Sequence, residues 1–500
     1  NNYDFRKIFK SKKYNKVEFI SASFFDLRWN IVYLVLLLLV RAKVKYIVDD
    51  NGRTKVNTKL VVYISLSVVD FLFRALLLFP FVFVVACLCF LPRRKIKLSQ
   101  ERDVIFLRTK LVRNLTAGGS LGHIIGVING LVKNGINVDY FGFDTSIEFD
   151  QRVTKTELKI GKFGLGVPFF SQIYFSLRCI LLLVFRHYGS IKNKIIYYRP
   201  VSFDITALVI SMFFRVPLII EFNSFLVWEE RNNGSNSAVK HYLIAFLERL
   251  HLKRASKIVC VSEVLRRDLI TAGHAESKIV VVPNGVNIEK FTPNSRDEAV
   301  YDKLGIKEEI VVGFVGTFGP WHGIELLTET IIRYSAIKER DVKFLLVGDG
   351  QLRKECQSRL NHLSSVVFTG KVSYEHIEKY LAGCDILLSP HSLQAHEKEF
   401  IGSPTKLFEY MSMGKIVIGT KIGQMLDIVN PALERMELST PKSYNKLATG
   451  ILVHPNVDEL TESLQKVVLN IEDLRYLGYN ARMKAVHDYS WQARMKLMLD

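Results

Sequence analysis

Phe400-Ile401-Gly402-Ser403-Pro404-Thr405-Lys406-Leu407-Phe408-Glu409-Tyr410-Met411 decides how the chain is read. An apolar strand pattern, Cys384-Asp385-Ile386-Leu387-Leu388-Ser389-Pro390, precedes it, and a helical pattern follows it as far as Gly414. Ser403 suits the N-cap of that helix and Pro404 its first position, where a fixed φ helps and no N–H is needed. The unbonded N–H groups of a first helical turn carry partial positive charge and seat a phosphate. Thr405, Lys406 and Leu407 form that turn, and Lys406 adds a full charge. Glu409, five residues after Pro404, offers a carboxylate to two vicinal hydroxyls such as those of a ribose. Phosphate at the helix start and ribose at the acid make a nucleotide-diphosphate site. The competing reading is an ordinary amphipathic helix with a Ser-Pro start.

The stretch resembles the donor-sugar motif of glycosyltransferase family 4: two glutamates separated by seven residues, then a small-residue turn and a strand. Glu409 matches the second glutamate, and Met413-Gly414-Lys415-Ile416-Val417 matches the turn and strand. The first glutamate falls at Ile401, so that carboxylate is missing; Glu399 stands two residues out of register.

Upstream, Glu309 to Phe318 reads as a buried strand ending in Gly316-Thr317-Phe318-Gly319-Pro320-Trp321-His322-Gly323, with a helix from about 324 to 337. A glycine turn between strand and helix brings backbone N–H groups to a phosphate. The family usually carries an arginine after the first glycine and a lysine before the last. Here they are Thr317 and His322, and Lys406 is the candidate replacement. The Trp-His-Gly variant resembles a branch of the family that shares the Gly-Ser-Pro helix start. Phe344 to Gly350 and Val366 to Val372 are further strand-and-turn units. By the resemblance, Gly348, Gly370, Lys371 and Val372 line the nucleotide pocket and Gly423 approaches the phosphates. Repeated strand, turn and helix from Glu309 to Leu407 require a doubly wound sheet.

The same grammar starts at Asp103. Val104 to Arg108 is a buried strand, Gly118-Gly119-Ser120-Leu121-Gly122-His123 a turn, and Ile124 to Leu131 a helix; Ile136 to Phe143 alternates as a strand. The turn sits at the carboxyl end of a strand, where open α/β sheets bind ligands. It resembles the Gly-Gly-x-x-x-His entry of family 4, which places His123 near the sugars; a solvated polar residue is the alternative. Further strands are expected at 194–198, 217–221, 257–261 and 278–282. The apolar stretch 169–185, flanked by Arg178, Arg186 and His187, is either a lipid-touching amphipathic helix or one packed on the sheet. Asn223 stands where relatives carry a histidine close to the reacting sugar; an amide can orient but not act as a base. Glu221 belongs either to the reaction centre or to a structural strand end. Val282-Pro283-Asn284-Gly285-Val286 reads as a strand end and sharp turn, anchored by Phe291 and opening the interdomain linker.

The 500 residues carry 68 basic and 49 acidic groups, net +19, with 49% hydrophobic residues and a mean hydropathy of +0.15. Basic and apolar together favour an anionic membrane surface, and no finger, recognition helix or stacking platform speaks for nucleic acid. Six cysteines without metal-type spacing suggest buried free thiols in a reducing compartment. Residues 1–60 hold thirteen Lys/Arg against five Asp/Glu. From Leu60 to Pro92 the chain is nearly all apolar, and Arg93-Arg94-Lys95 follows. A single membrane-spanning helix, a hairpin broken at Pro80 and a buried helix compete for this segment.

The expected architecture is α/β of the GT-B type: two Rossmann-like, doubly wound parallel-sheet domains facing a cleft, plus an N-terminal hydrophobic membrane segment. The expected divisions are a basic extension (1–59), the hydrophobic segment (60–97), an acceptor domain (98–290), a donor domain (291–475) and a helix crossing back (476–500). The resemblance implies a retaining glycosyltransferase that takes a UDP- or GDP-sugar without permanently bound cofactor or metal. Its acceptor would be a glycan, lipid-linked, at the cytoplasmic membrane face, in surface polysaccharide or glycolipid synthesis. Glu409, Lys406, His123 and Asn223 are the catalytic candidates; Gly316, Thr317, Gly319 and His322, with the turns and helix start above, are the donor-binding ones. A non-catalytic nucleotide- or glycan-binding scaffold is the alternative, motivated by Ile401, Thr317, His322 and Asn223.

Overall fold

The computed structural model describes residues 103–499 except 113–117, 160–167, 233–234, 236, 295, 338–339, 394–398 and 440–443, with three strands before residue 56 and helical residues at 37, 76, 81, 83, 84 and 87. Most of the expected basic extension and hydrophobic segment lies outside these residues. Among the described residues no helix is long and apolar enough to cross a membrane. Phe81, 5% exposed, packs in a cluster with Ile173, Phe203, Ile205, Leu226, Ile244 and Leu247 of the first lobe. Strands β1 (Tyr14–Ile20), β2 (Ala42–Asp49) and β3 (Gly52–Lys55) form a small sheet that the apolar pattern did not foretell.

The first lobe is built on β4 (Val104–Arg108), β5 (Val138–Gly142), β6 (Thr154–Glu157), β7 (Ile195–Tyr198), β8 (Leu218–Phe222), β9 (Lys257–Cys260) and β10 (Ile279–Val281). They pair in parallel in the order β10-β9-β8-β7-β4-β5-β6. The second lobe holds β11 (Ile310–Val315), β12 (Val342–Val347), β13 (Val366–Gly370), β14 (Ile386–Ser389), β15 (Ile416–Thr420), β16 (Leu433–Glu434) and β17 (Ile451–Val453), in the order β13-β12-β11-β14-β15-β17-β16. Both are doubly wound, with strand order reversing beside the first strand of each lobe. Successive strand residues face opposite sides. Val312 and Phe314 enter one core while Val311 and Val315 enter the other, which is why these strands read as unbroken apolar runs.

The helices used below are α1 (Gly119–Lys133), α2 (Pro168–Arg186), α3 (Ala238–Arg254), α4 (Ile324–Ile337), α5 (Thr405–Ser412), α6 (Ile471–Asp488) and α7 (Trp491–Leu499). α2 buries Ile173, Phe175, Cys179 and Leu183 and exposes Leu181 and Phe185, so its inner face packs on the sheet. The linker passes through Val286 and the buried Phe291. α6 stays with the second lobe, and the chain crosses back at Tyr489–Trp491. There Val286 N–H donates to the Tyr489 carbonyl at 2.8 Å and Trp491 N–H to the Val286 carbonyl at 3.2 Å. α7 then packs on α1, where a Cβ added at Gly126 would lie 2.0 Å from the Trp491 indole.

Candidate active site

α5 begins at Thr405, with Pro404 as its cap residue and no side-chain cap. This corrects the expectation of Ser403 as N-cap and Pro404 as first helical residue. Ser403 is engaged elsewhere: its Oγ accepts the Asn284 N–H at 3.0 Å and its carbonyl accepts Asn284 Nδ2 at 2.6 Å. A distant partner thus outcompetes the local cap, and no side chain satisfies the first N–H groups of α5.

Lys406 points from α5 to the glycine turn after β11. Its side chain is 6% exposed, and Nζ is buried without a hydrogen-bond partner. Nζ sits 4.1 Å from the centre of the Phe314 ring, and a Cβ added at Gly316 would come within 2.6 Å of it. Burial pushes the amine down to about 7, against the opposing pull of Glu409. A buried cation without a counter-ion is costly unless a ligand completes it.

The turn around Lys406 lies where strand order reverses, between β11 and β14, the crevice where such sheets bind ligands. Thr317 is exposed, and its carbonyl bonds to His322 Nδ1. Trp321 Nε1 lies 3.1 Å from His322 Nε2. After β14, His391 is 2% exposed; its ring meets that of His322 edge-on at 5.3 Å, and its Nδ1 lies 3.1 Å from Ser389 Oγ. Burial, then the nearby Lys406, holds both imidazoles well below the usual histidine range. His391 was not among the sequence candidates. Gly319 is buried under the Trp321 indole. Gly348 packs against the Gly316 carbonyl, and its N–H donates to the Gly370 carbonyl at 2.9 Å. This joins the loops after β11, β12 and β13. Lys371 is exposed beyond Gly370, and Val372 is partly buried beside Tyr374. Gly423 instead packs against the Phe400 backbone.

Leu407 is fully buried in the second core. Glu409, half-buried one turn on, is pushed up to about 8 by burial, with Lys406 and then Lys290 opposing. Lys290 pairs with Glu378 at 2.7 Å and lies 5.3 Å from the centre of the Tyr374 ring.

Across the cleft, His123 Nδ1 lies 2.8 Å from Asn284 Oδ1, and its Nε2 lies 2.8 Å from Glu221 Oε1. The Asn284 amide oxygen accepts from Nδ1, while Nε2 faces the Glu221 carboxylate at close range without hydrogen-bond geometry. Glu221 also accepts from Tyr197 at 2.8 Å and from Asn223 Nδ2 at 2.7 Å. Burial alone would raise its carboxyl, but His123 above all, with Arg199 and Tyr197, holds it at about 2. Asn223 therefore orients Glu221. The lobes meet here: a Cβ added at Gly119 would lie 2.5 Å from Thr405 Oγ1. Ser262 Oγ donates to the Ile401 carbonyl at 2.8 Å, and Gln424 Nε2 to the Val261 carbonyl at 2.5 Å. A cavity of about 360 Å³ opens beside this second contact, lined from both lobes by residues including Ser262, Arg267, Phe400 and Gln424. It is separate from the Lys406 cradle. Among the described residues, no group of three or more His, Cys, Asp or Glu is arranged to hold a metal ion.

Two doubly wound lobes, hinged at Asn284–Phe291 and closing glycine turns onto a helix start, define the GT-B class of glycosyltransferase folds. Residues 117–290 match the model described as Glycosyltransferase Family 4, and residues 309–470 the one described as Glycosyl transferases group 1. The chain belongs to the family 4 type of glycosyltransferases. Over 257 residues it is 25% identical to TuaH of Bacillus subtilis, a glycosyltransferase provisionally assigned to teichuronic acid biosynthesis, covering 49% of this chain and 62% of TuaH. The chain spans little more than half the length of the curated relatives it matches. Sucrose-phosphate synthase from Thermosynechococcus elongatus superposes with a TM-score of 0.59 at 18% identity, covering 79% of this chain and 97% of that one. Anabaena Alr3699/HepE, in its complex with UDP-glucose, superposes with a TM-score of 0.57 at 17% identity, with the same coverage. These two likenesses establish the fold.

Proposed function

We propose that the chain transfers a glycosyl group from a UDP- or GDP-sugar to a glycan acceptor. The observation that carries this is the buried, unpartnered Lys406 Nζ against Gly316, beside an uncapped helix start. A diphosphate supplies the charge and the acceptor atoms that this cradle lacks. Glu409 takes the ribose hydroxyls. The bond from the anomeric carbon to the β-phosphate oxygen breaks while the acceptor oxygen bonds to that carbon from the same face, with retention. The acceptor proton passes to the departing phosphate oxygen, and Lys406 and the α5 N–H groups stabilise the charge that develops there. His123, held by Glu221 and Asn284, borders the sugar. The names of TuaH and of the HepE complex with UDP-glucose agree with this reading.

The acceptor is a lipid-linked glycan at the cytoplasmic membrane face. The net charge of +19 and the exposed Leu181, Phe185, Tyr188, Phe213 and Tyr242 of the first lobe support that placement. The test is calorimetry with UDP- and GDP-sugars, followed by turnover on lipid-linked acceptors in vesicles. Binding with transfer supports the proposal. Tight binding without turnover on any acceptor favours the scaffold alternative.

A further inference from the structure

The donor cradle is built from groups that can be neutral where fixed cations are usual. Lys406 Nζ lies against the Phe314 ring and Gly316, Phe314 in turn meets His322 edge-on, and the Lys406 charge acts on both His322 and His391. The charged and titratable groups facing these three are few. Glu409 shares α5 with Lys406 and is itself faced by Lys290 and Tyr374. His322 meets Thr317 and Trp321, and His391 meets Ser389 and Phe400. No ionised carboxylate contacts either imidazole ring in these bonds. Three nitrogen bases, the buried Lys406 and His391 and the half-buried His322, thus lie within electrostatic reach of one another, with Glu409 acting on Lys406 from the same helix.

We propose that His391, through His322, completes the diphosphate cradle with Lys406, and that the cradle takes up a proton from solvent as the donor enters. The inference rests on the donor-site reading above. Without ligand, burial and mutual repulsion keep the bases short of protons: Lys406 is near 7 and both histidines lie lower. A diphosphate brings negative charge into the same space and raises the proton affinity of all three. Groups whose proton affinity rises on binding make binding strongest below their free-state values and weaker as pH rises above them. His391 is a positioning residue here, since it is buried and meets the His322 ring.

The test is isothermal calorimetry of the full chain with UDP-glucose and GDP-mannose at pH 6, 7, 8 and 9. Each titration is run in buffers of low and high ionisation enthalpy, with phosphate avoided as a competitor. A sugar nucleotide has no phosphate ionisation of its own in this range, so buffer-dependent heat reports protein protonation. The expected result at pH 8 is uptake of about one proton per sugar nucleotide, with affinity falling about tenfold per pH unit above neutrality. His391→Phe keeps the ring and should lower the uptake; Lys406→Arg, permanently charged, should flatten the pH dependence. Binding with buffer-independent heat and constant affinity from pH 6 to 9 overturns the proton linkage alone. Unchanged uptake in a folded His391→Phe overturns the assignment of that residue. No binding of either sugar nucleotide at any pH overturns the inference together with the donor-site reading.

Discussion

Asn284 holds Ser403 by two hydrogen bonds, from its backbone N–H to Oγ at 3.0 Å and from Nδ2 to the carbonyl at 2.6 Å. Its Oδ1 faces His123 Nδ1 at 2.8 Å. One side chain therefore ties the linker, the start of α5 and the first-lobe histidine. Asn284→Ala removes both side-chain bonds and leaves buried groups unpaired, a cost of about 1–3 kcal/mol. The expected outcome is a lowered Tm reflecting that cost, together with a drop in kcat/KM of about tenfold or more at limiting donor.

Lys406→Met separates a binding role from a structural one. Methionine fills similar volume without burying an amine, and replacing unfavourable buried charge in this way often stabilises by about 1–4 kcal/mol. The expected result is a higher Tm without ligand and loss of the Tm rise that a sugar nucleotide gives the native chain. The gain has a definite pH window. The native Lys406 value of about 7 lies below its ordinary 10.5, so between those values the unfolded chain holds more protons and stability rises with pH. The advantage of the methionine variant should therefore be greatest at and below pH 7 and fade toward pH 10. Thermal melts across that range check it.

Glu409→Ala removes the acid assigned to the ribose. Above its value of about 8 Glu409 is ionised, and a hydrogen bond to a charged group contributes about 1.5–3 kcal/mol, so two such contacts imply about a hundredfold loss or more at limiting donor at about pH 9. Rates at saturating donor should recover in part. Unchanged kcat/KM at limiting donor removes Glu409 from the site.

The strands were legible because parallel strands covered on both faces need unbroken apolar runs, as in Ile310–Val315 and Leu218–Phe222. β6 escaped notice because Thr154–Glu157 is a partly exposed edge without that signal, and β16 because it has two residues. The site was legible where chemistry is local: Lys406 and Glu409 on one helix, and the glycine turn after β11. It was illegible where packing decides. Ser403 obeys the capping rule in sequence but is taken by Asn284, 119 residues upstream. His391 follows an unremarkable proline, and only the closeness of β11 and β14 brings it to His322.

Gly126→Ala tests the return of the C-terminal helix to the first lobe. The new methyl would lie 2.0 Å from the Trp491 indole, which also meets the His123 ring edge-on at 5.1 Å. Overpacking of this kind typically costs about 1–3 kcal/mol. A lowered Tm and reduced transfer are expected together. Gly135→Ala serves as the contrast: there the added Cβ meets nothing within 4 Å, but φ is +82°, so a smaller loss from backbone strain alone is expected, with transfer intact.

The most direct measurement is a structure of the chain with an intact UDP- or GDP-sugar bound. The expected diphosphate lies within hydrogen-bond distance of Lys406 Nζ and the first N–H groups of α5, against the Gly316 turn, with the ribose on Glu409. A diphosphate bound elsewhere, with Lys406 still buried against Phe314 and unpartnered, would contradict the account.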